Sequence, residues 1–382
     1  MACVVAVGTL PAVTTFRVLV LGGYGLFGRR IVQRLARDAA LRVVVAGRNA
    51  AAAQALAAEV GADVLACDAT AASFADMLAR ERPQLVINTV GPFQGQDYAV
   101  ARTVLDAGAH YVDLADARGY VIGFDALDAH ARERGLLAVA GASTVPGLSA
   151  AVVDRYRTEF ARLTGIDIGI SPGNRTERGL ATVAAILSYV GRALPWRENG
   201  RRVAVHGWQR LRRHVYAAPA GARWLAACDV PDLALFADRY APLEHLRFRA
   251  GLELKRLHFG VWLVSWFVRA GLVRDLPRHA AMLKRASERF LGAGSDAGAM
   301  HVALTGVDAH GAVQRLTWEI VATDGDGPEI PATAAVVIAT KLARGELAAR
   351  GAQPCVDLFT LEECLAALAP FALQTRVVRS ES

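Results

Sequence analysis

Lysine is almost missing from this chain. Of its 43 basic residues, only Lys255, Lys284 and Lys341 are not arginine. Cysteine is also sparse: Cys3, Cys67, Cys228, Cys355 and Cys364 are scattered, with no C-x-x-C pair. That pattern argues against a disulfide framework or a zinc site and suits a reducing cytoplasm. Long apolar runs are lacking too. The longest, Phe259 to Phe267, reaches Val273 only across Arg269, which is too short to span a bilayer as a helix. Residues 1–16 are apolar without the basic flank of a secretory signal, and residues 1–14 are read as a flexible tail. A net charge of +7 over 382 residues is modest. It suits an anionic small ligand, and with no zinc-finger or RNA-binding signature it gives no reason to expect nucleic acid.

With 53% hydrophobic and 21% charged residues, the chain is globular and long enough for two domains. Its organising stretch is residues 17–30. A buried-strand pattern, Val18 to Leu21, runs into Gly22, Gly23, Gly25 and Gly28, and Ile31, Val32 and Leu35 follow at helical spacing. Strand, glycine turn and helix start form the setting in which G-x-G-x-x-G (from Gly23) or G-x-x-G-x-x-G (from Gly22) binds a dinucleotide. The glycines allow a sharp turn and close backbone approach, and the helix N-terminus receives the pyrophosphate. Gly22, Gly23, Tyr24, Gly25, Leu26, Phe27 and Gly28 are therefore cofactor-site candidates.

Strand and helix patterns then alternate. Strands are expected at 41–46, 63–66, 85–88, 110–113 and 136–140, with helices between them, giving a doubly wound parallel Rossmann sheet over 15–147. The second strand ends in Gly47-Arg48-Asn49. About 20 residues past the glycines an NAD-preferring fold carries an acidic residue for the ribose hydroxyls, yet none occurs from Leu41 through Asn49. Arg48 at that place suits a 2′-phosphate and so favours NADP (NADPH), and Asn49 beside it is a further cofactor-site candidate. Asp68 reads either as an acceptor for the adenine amino group or as a helix cap. The loop Thr89, Val90, Gly91, Pro92 follows a strand end and should face the cofactor.

These residues together resemble the saccharopine dehydrogenase-like family of NADP-binding oxidoreductases. The likeness is carried by Val18–Gly28, Ala46–Asn49, Asn88–Phe93 and His110–Leu114, with Gly141–Gly147 at the crossing between domains. It implies an α/β Rossmann domain and a second α+β domain (148–330) with a mainly antiparallel sheet, and a final segment (331–382) packing back on the first domain. Activities within the family vary, and the second domain matches least. The function expected is NADP(H)-dependent hydride transfer to a C=N, C=O or activated C=C bond of a small, anionic or lipid-like substrate. The alternatives are secondary-amine chemistry of lysine or polyamine metabolism, and a non-catalytic NADP-binding or membrane-associated scaffold.

In the second half, strands are expected at 163–170, 302–307 and 313–322, helices at 179–189 and 334–342, and a capping box at Thr360–Glu363. Two stretches stand out. The arginines around Trp208, from Trp196 to His214, read as a substrate clamp, a surface for an anionic membrane or a solvated face. Residues 257–273, with Phe259, Trp262, Trp266 and Phe267, read as core, homodimer face, lining for a lipid-like substrate or shallow peripheral membrane contact. None of the eight tyrosines has a lysine four residues on, which excludes the usual Tyr-x-x-x-Lys proton relay. Tyr111 and Asp113 at a strand end are the catalytic candidates, with Ser143 and Thr144 at the domain crossing. Each also has a plain structural reading, as core, turn or cap.

Overall fold

A computed structural model describes residues 15–381; the tail assigned to 1–14 lies outside the described residues. The first domain runs β1 (Phe16–Leu21), α1 (Leu26–Leu35), β2 (Leu41–Gly47), α2 (Ala50–Val60), β3 (Asp63–Ala66), α3 (Phe74–Glu81), β4 (Leu85–Asn88), α4 (Ala99–Asp106), β5 (His110–Asp113), α5 (Arg118–Ile122), α6 (Asp128–Glu133) and β6 (Leu137–Ala140). The second domain starts with α7 (Ser149–Tyr156), β7 (Arg162–Ser171), α8 (Leu180–Tyr189), β8 (Ala193–Glu198), β9 (Arg201–His206), β10 (Arg212–Val215) and β11 (Ala222–Ala227). It continues with α9 (Asp232–Arg239), β12 (His245–Ala250), α10 (Lys255–Arg269), α11 (Ala280–Glu288), β13 (Gly298–Val307) and β14 (Val313–Ala322). The chain ends with α12 (Glu329–Ala343), β15 (Gly351–Pro354), α13 (Leu361–Leu368) and β16 (Leu373–Glu381).

The first sheet is wholly parallel, in the order β3-β2-β1-β4-β5-β6-β15. Its central strands are covered on both faces: Val18 to Leu21 and all four residues of β4 are buried. Such burial on both sides is why they read as continuous apolar runs. The second sheet has nine strands, following β10-β11-β12-β7-β13-β14-β16, with β8 on β12 and β9 on β8. Among these pairs only β7–β12 is parallel. Alternation along β7 and β13 gives this sheet an apolar face, where Ile166, Ile168, Val302 and Leu304 join the main core. The other face carries Asp167, Arg249, His301 and Glu319.

The final segment is shared between the sheets, not confined to the first domain as expected. β15 extends the parallel sheet beside β6, while β16 closes the edge of the second sheet beside β14. α12 begins at Glu329, two residues before Pro331. The proline thus sits in the first turn, where its missing N–H has no helical acceptor to lose. α12 lies against α1, with Arg34 Nη1 donating to Thr333 Oγ1 at 2.7 Å and Arg30 Nε 3.2 Å from Glu329 Oε1. Burial raises the Glu329 carboxyl above its usual range, although the Arg34 and Arg30 guanidiniums oppose the shift.

What sets the site in place is the turn between β1 and α1. Gly22 has φ +71°, a region that disfavours side chains, and Gly25 N–H returns to Gly22 O at 2.8 Å. A Cβ on Gly28 would lie 2.2 Å from Gly22 O, so α1 can start here only with glycine at that position. Replacing Gly28 with alanine should lower stability by about 2 kcal/mol or more through forced separation of turn and helix. Thermal unfolding measures this, and the same variant should lose affinity for a nicotinamide dinucleotide in a fluorescence titration.

Candidate active site

The strand order reverses between β1 and β4, where open α/β sheets place ligands beyond the carboxyl ends. There the two strand ends touch. Thr89 Oγ1 donates to Leu21 O at 2.8 Å, and a Cβ on Gly22 would stand 2.8 Å from Thr89 Oγ1. The first helical bond of α1 is Arg29 N–H to Gly25 O, so the N–H groups of Leu26, Phe27 and Gly28 have no acceptor within the helix. A glycine-walled cradle that ends in free helix N–H groups fits a diphosphate.

The other cofactor-site candidates share this edge of the sheet, but not all are free. Tyr24 packs its ring so closely on Gly47 that a Cβ there would lie 2.6 Å from it, and its hydroxyl accepts Asn49 N–H at 3.0 Å. Asn49 Oδ1 in turn caps α2 by accepting Ala52 N–H at 3.1 Å. Asp68 Oδ1 accepts the N–H and hydroxyl of Thr70, at 2.9 and 2.7 Å. These bonds hold its carboxyl below the usual range, helped by the charge of Arg48. Asp68 thus closes a turn, and the residue at the N-cap of α3 is Ser73. Arg48 itself is exposed at the end of β2. In the loop after β4, Val90 N–H reaches Asn88 Oδ1 at 3.0 Å, and Gln96 Nε2 donates to Pro92 O at 2.6 Å. Gly91 faces Ala181 of α8, which brings the second domain to the rim of the site.

Tyr111 and Asp113 are placed differently from the catalytic expectation. Both are fully buried in the first domain. Tyr111 packs beside Phe124, and its hydroxyl accepts from Asn88 Nδ2 at 3.1 Å. Asp113 Oδ1 accepts the N–H groups of Ala115 and Gly141, both at 2.9 Å, tying the end of β5 to the end of β6. Desolvation pushes the Asp113 carboxyl up to about 6. A group that exchanges a proton with substrate must reach it, and these two reach neither solvent nor cleft; their work is structural. Thr144 is buried as well.

An open cleft of about 470 Å³ lies between the domains instead. Gln94, Asp97, Asp116 and Arg118 line it from the loops after β4 and β5, and Tyr189 and Asp229 from the second domain. Arg118 forks onto Asp229, Nε to Oδ1 at 2.6 Å and Nη2 to Oδ2 at 3.2 Å, bridging the two walls. Gln94 Nε2 donates to Asp116 Oδ1 at 3.1 Å, and burial raises the Asp116 carboxyl above its ordinary value. Tyr189 accepts from the Cys228 thiol at 3.0 Å, and burial pushes its own hydroxyl well above the ordinary tyrosine value.

Sequence reasoning missed these wall residues. The loops after β4 and β5 follow from the rule about strand ends, which could have singled out Asp116 and Arg118. Tyr189, at the end of α8, and Asp229, in the loop after β11, arrive from the second domain and carry no local signal. The arginine stretch from Trp196 to His214 stays outside the cleft. It forms β8, β9 and the start of β10, where Trp208 is buried against His258 and Arg212 pairs with Asp167 at 2.5 Å. Among the described residues no group of His, Cys, Asp and Glu could hold a metal ion, and no helix is long and apolar enough to cross a membrane.

Residues 18–139 match the family model described as the saccharopine dehydrogenase NADP binding domain. No curated protein matches the sequence. Among solved structures, apo saccharopine dehydrogenase (L-Glu forming) from Saccharomyces cerevisiae aligns with 95% of this chain and 99% of its own, at a TM-score of 0.69 and 14% identity. Homospermidine synthase from Legionella pneumophila, solved with NAD, aligns with 95% of this chain and 91% of its own, at a TM-score of 0.58 and 9% identity. At these identities the likeness shows the shared two-domain fold. The sequence match thus places a saccharopine dehydrogenase-type NADP binding domain at residues 18–139.

Proposed function

We propose that the protein is an NADP(H)-dependent oxidoreductase acting on a C=N, C=O or activated C=C bond of a substrate held in the interdomain cleft. The observation that carries this reading is the position of the cleft. Its first-domain wall grows from the segments after β4 and β5, the β4 loop being the one whose Thr89 and Val90 lie against Gly22, and the second domain supplies the other wall. When bound, the nicotinamide supplies or takes a hydride. The chain then has to hold the dinucleotide, orient the substrate and move one proton. Gly22 to Gly28 would hold the diphosphate at the N-terminus of α1. Arg48, with no acidic residue in β2, would meet the 2′-phosphate of NADP, and Thr89 to Pro92 would border the nicotinamide.

The lining bears on substrate class. Asp97, Asp116 and Asp229 face a single guanidinium, Arg118, which Asp229 already neutralises. A dicarboxylate amine would need free arginines in this cleft, and none lines it. Acidic walls favour a substrate with an amine or iminium nitrogen, so within the class the C=N reaction has the best support. Asp116 is the proposed proton carrier. Desolvation raises its carboxyl above the ordinary carboxylate value, the direction that favours a general acid.

Two measurements test this. In fluorescence titrations Arg48→Ala should weaken NADPH binding by about tenfold to a hundredfold and leave NADH nearly unchanged. Equal weakening of both would remove the 2′-phosphate role. With an imine panel and NADPH, Asp116→Asn should lower kcat by about a hundredfold or more while NADPH affinity stays the same. Wild-type reduction should fall as pH rises through the raised Asp116 value, because the acid loses its proton there. The variant should lack that limb.

A further inference from the structure

The aromatic run read from the sequence becomes α10, and the structure settles which of its faces is covered. Val261, Val264 and Val268 pack with Val183, Leu187 and Val190 on and just after α8. Ser265 is fully buried on the same side and donates to Trp262 O at 2.6 Å. On the outside Leu263, Trp266 and Phe267 stand at i, i+3 and i+4, exposed by 52%, 44% and 45%, and Leu272 beyond the helix end is 72% exposed. α11 repeats the arrangement, with Leu283 turned inward and Met282 exposed. Core packing therefore accounts for one face only. The other presents large apolar side chains to water, which soluble surfaces seldom concentrate without a partner.

Charge identifies the partner. Residues 255–291 hold eight Lys and Arg against two Asp and Glu, and so six of the seven net positive charges of the chain. Lys255, Arg256, Arg274, Arg278, Arg285 and Arg289 are all exposed, and none has an ion-pair partner among the described residues. A second copy of this face would bring the same cationic excess against itself, and like charges oppose such an interface. The inside of the interdomain cleft is ruled out as well, since none of these residues lines it. Tryptophan, phenylalanine and leucine ringed by unpaired Lys and Arg have the composition of an interfacial helix on an anionic bilayer.

We infer that α10, the loop after it and α11 form a peripheral docking surface for an anionic lipid bilayer. The apolar side chains enter the headgroup boundary and the flanking cations meet lipid phosphates. The surface rests on α8, which also supplies Tyr189 and Ser188 to the cleft, so docking holds the active cleft close to the bilayer. This inference stands on the outer face of α10 and is independent of which bond the enzyme reduces.

The test uses the full chain in co-sedimentation with phosphatidylcholine vesicles, with and without phosphatidylglycerol. The wild type should partition at least about tenfold more strongly onto the anionic vesicles, and added salt should weaken the binding. The double variant Trp266→Ser/Phe267→Ser should bind about tenfold less, with thermal unfolding and NADPH affinity unchanged to show that it is folded. Arg278→Glu/Arg285→Glu, which leaves the aromatics in place, should lose the preference for anionic vesicles. Three results would overturn the inference: no binding to anionic vesicles, equal binding to neutral ones, or undiminished binding by the aromatic variant. Light scattering provides a further arm: a wild-type dimer that Trp266→Ser/Phe267→Ser converts to monomer would assign the face to a second copy instead.

Discussion

The contact on which the rest depends is the one between Gly28 and the carbonyl of Gly22. The first turn of α1 sits so low on the end of β1 that no Cβ fits between them. That close approach fixes the angle at which α1 leaves the sheet, and hence where its outer face meets α12. α12 belongs to the final part of the chain, and its neighbours in sequence lead into both sheets through β15 and β16. One glycine contact thus sets the cofactor cradle and the seat for the segment that joins the two domains.

A second cluster of forces shapes the cleft. Arg118 and Asp229 come from different domains and meet in a forked pair, a geometry a guanidinium forms with better defined orientation than an ammonium can. Asp116 sits nearby on the first-domain wall, held by Gln94. Burial raises its carboxyl above the ordinary value, while the more deeply sealed Asp113 uses its Oδ1 to fasten two strand ends. These two carboxyls, three residues apart, sit in different surroundings, one bordering an open cleft and the other fully buried.

The parts of the fold that follow from local pattern were legible in the sequence. β1, β2, β4 and β5 are apolar runs bounded by turn residues, and α2 is an alanine-rich stretch. The glycine turn was readable because its chemistry is confined to seven consecutive residues. Of the second sheet only β7, β13 and β14 were legible, since its order joins β7 to β12 and β14 to β16 across long separations that no local pattern encodes. The same distance hid Tyr189 and Asp229. Tyr111 and Asp113 misled for a related reason. Their place at a strand end suggested chemistry, but aromatic packing over β5 seals that end, and burial is a property of the assembled layers. For α10, the aromatic run left open core, dimer face, substrate lining and membrane contact, and the packing against α8 shows which side is covered.

The claim at the centre of this account is that the β1–α1 turn and the loop after β4 together hold the dinucleotide. Hydrogen–deuterium exchange with and without NADPH tests it most directly. Slowed exchange on NADPH addition is expected in segments 22–28 and 89–96, with peptides from α10 unchanged. Saturating NADPH that leaves both segments unprotected, or protects only the second domain, would contradict it.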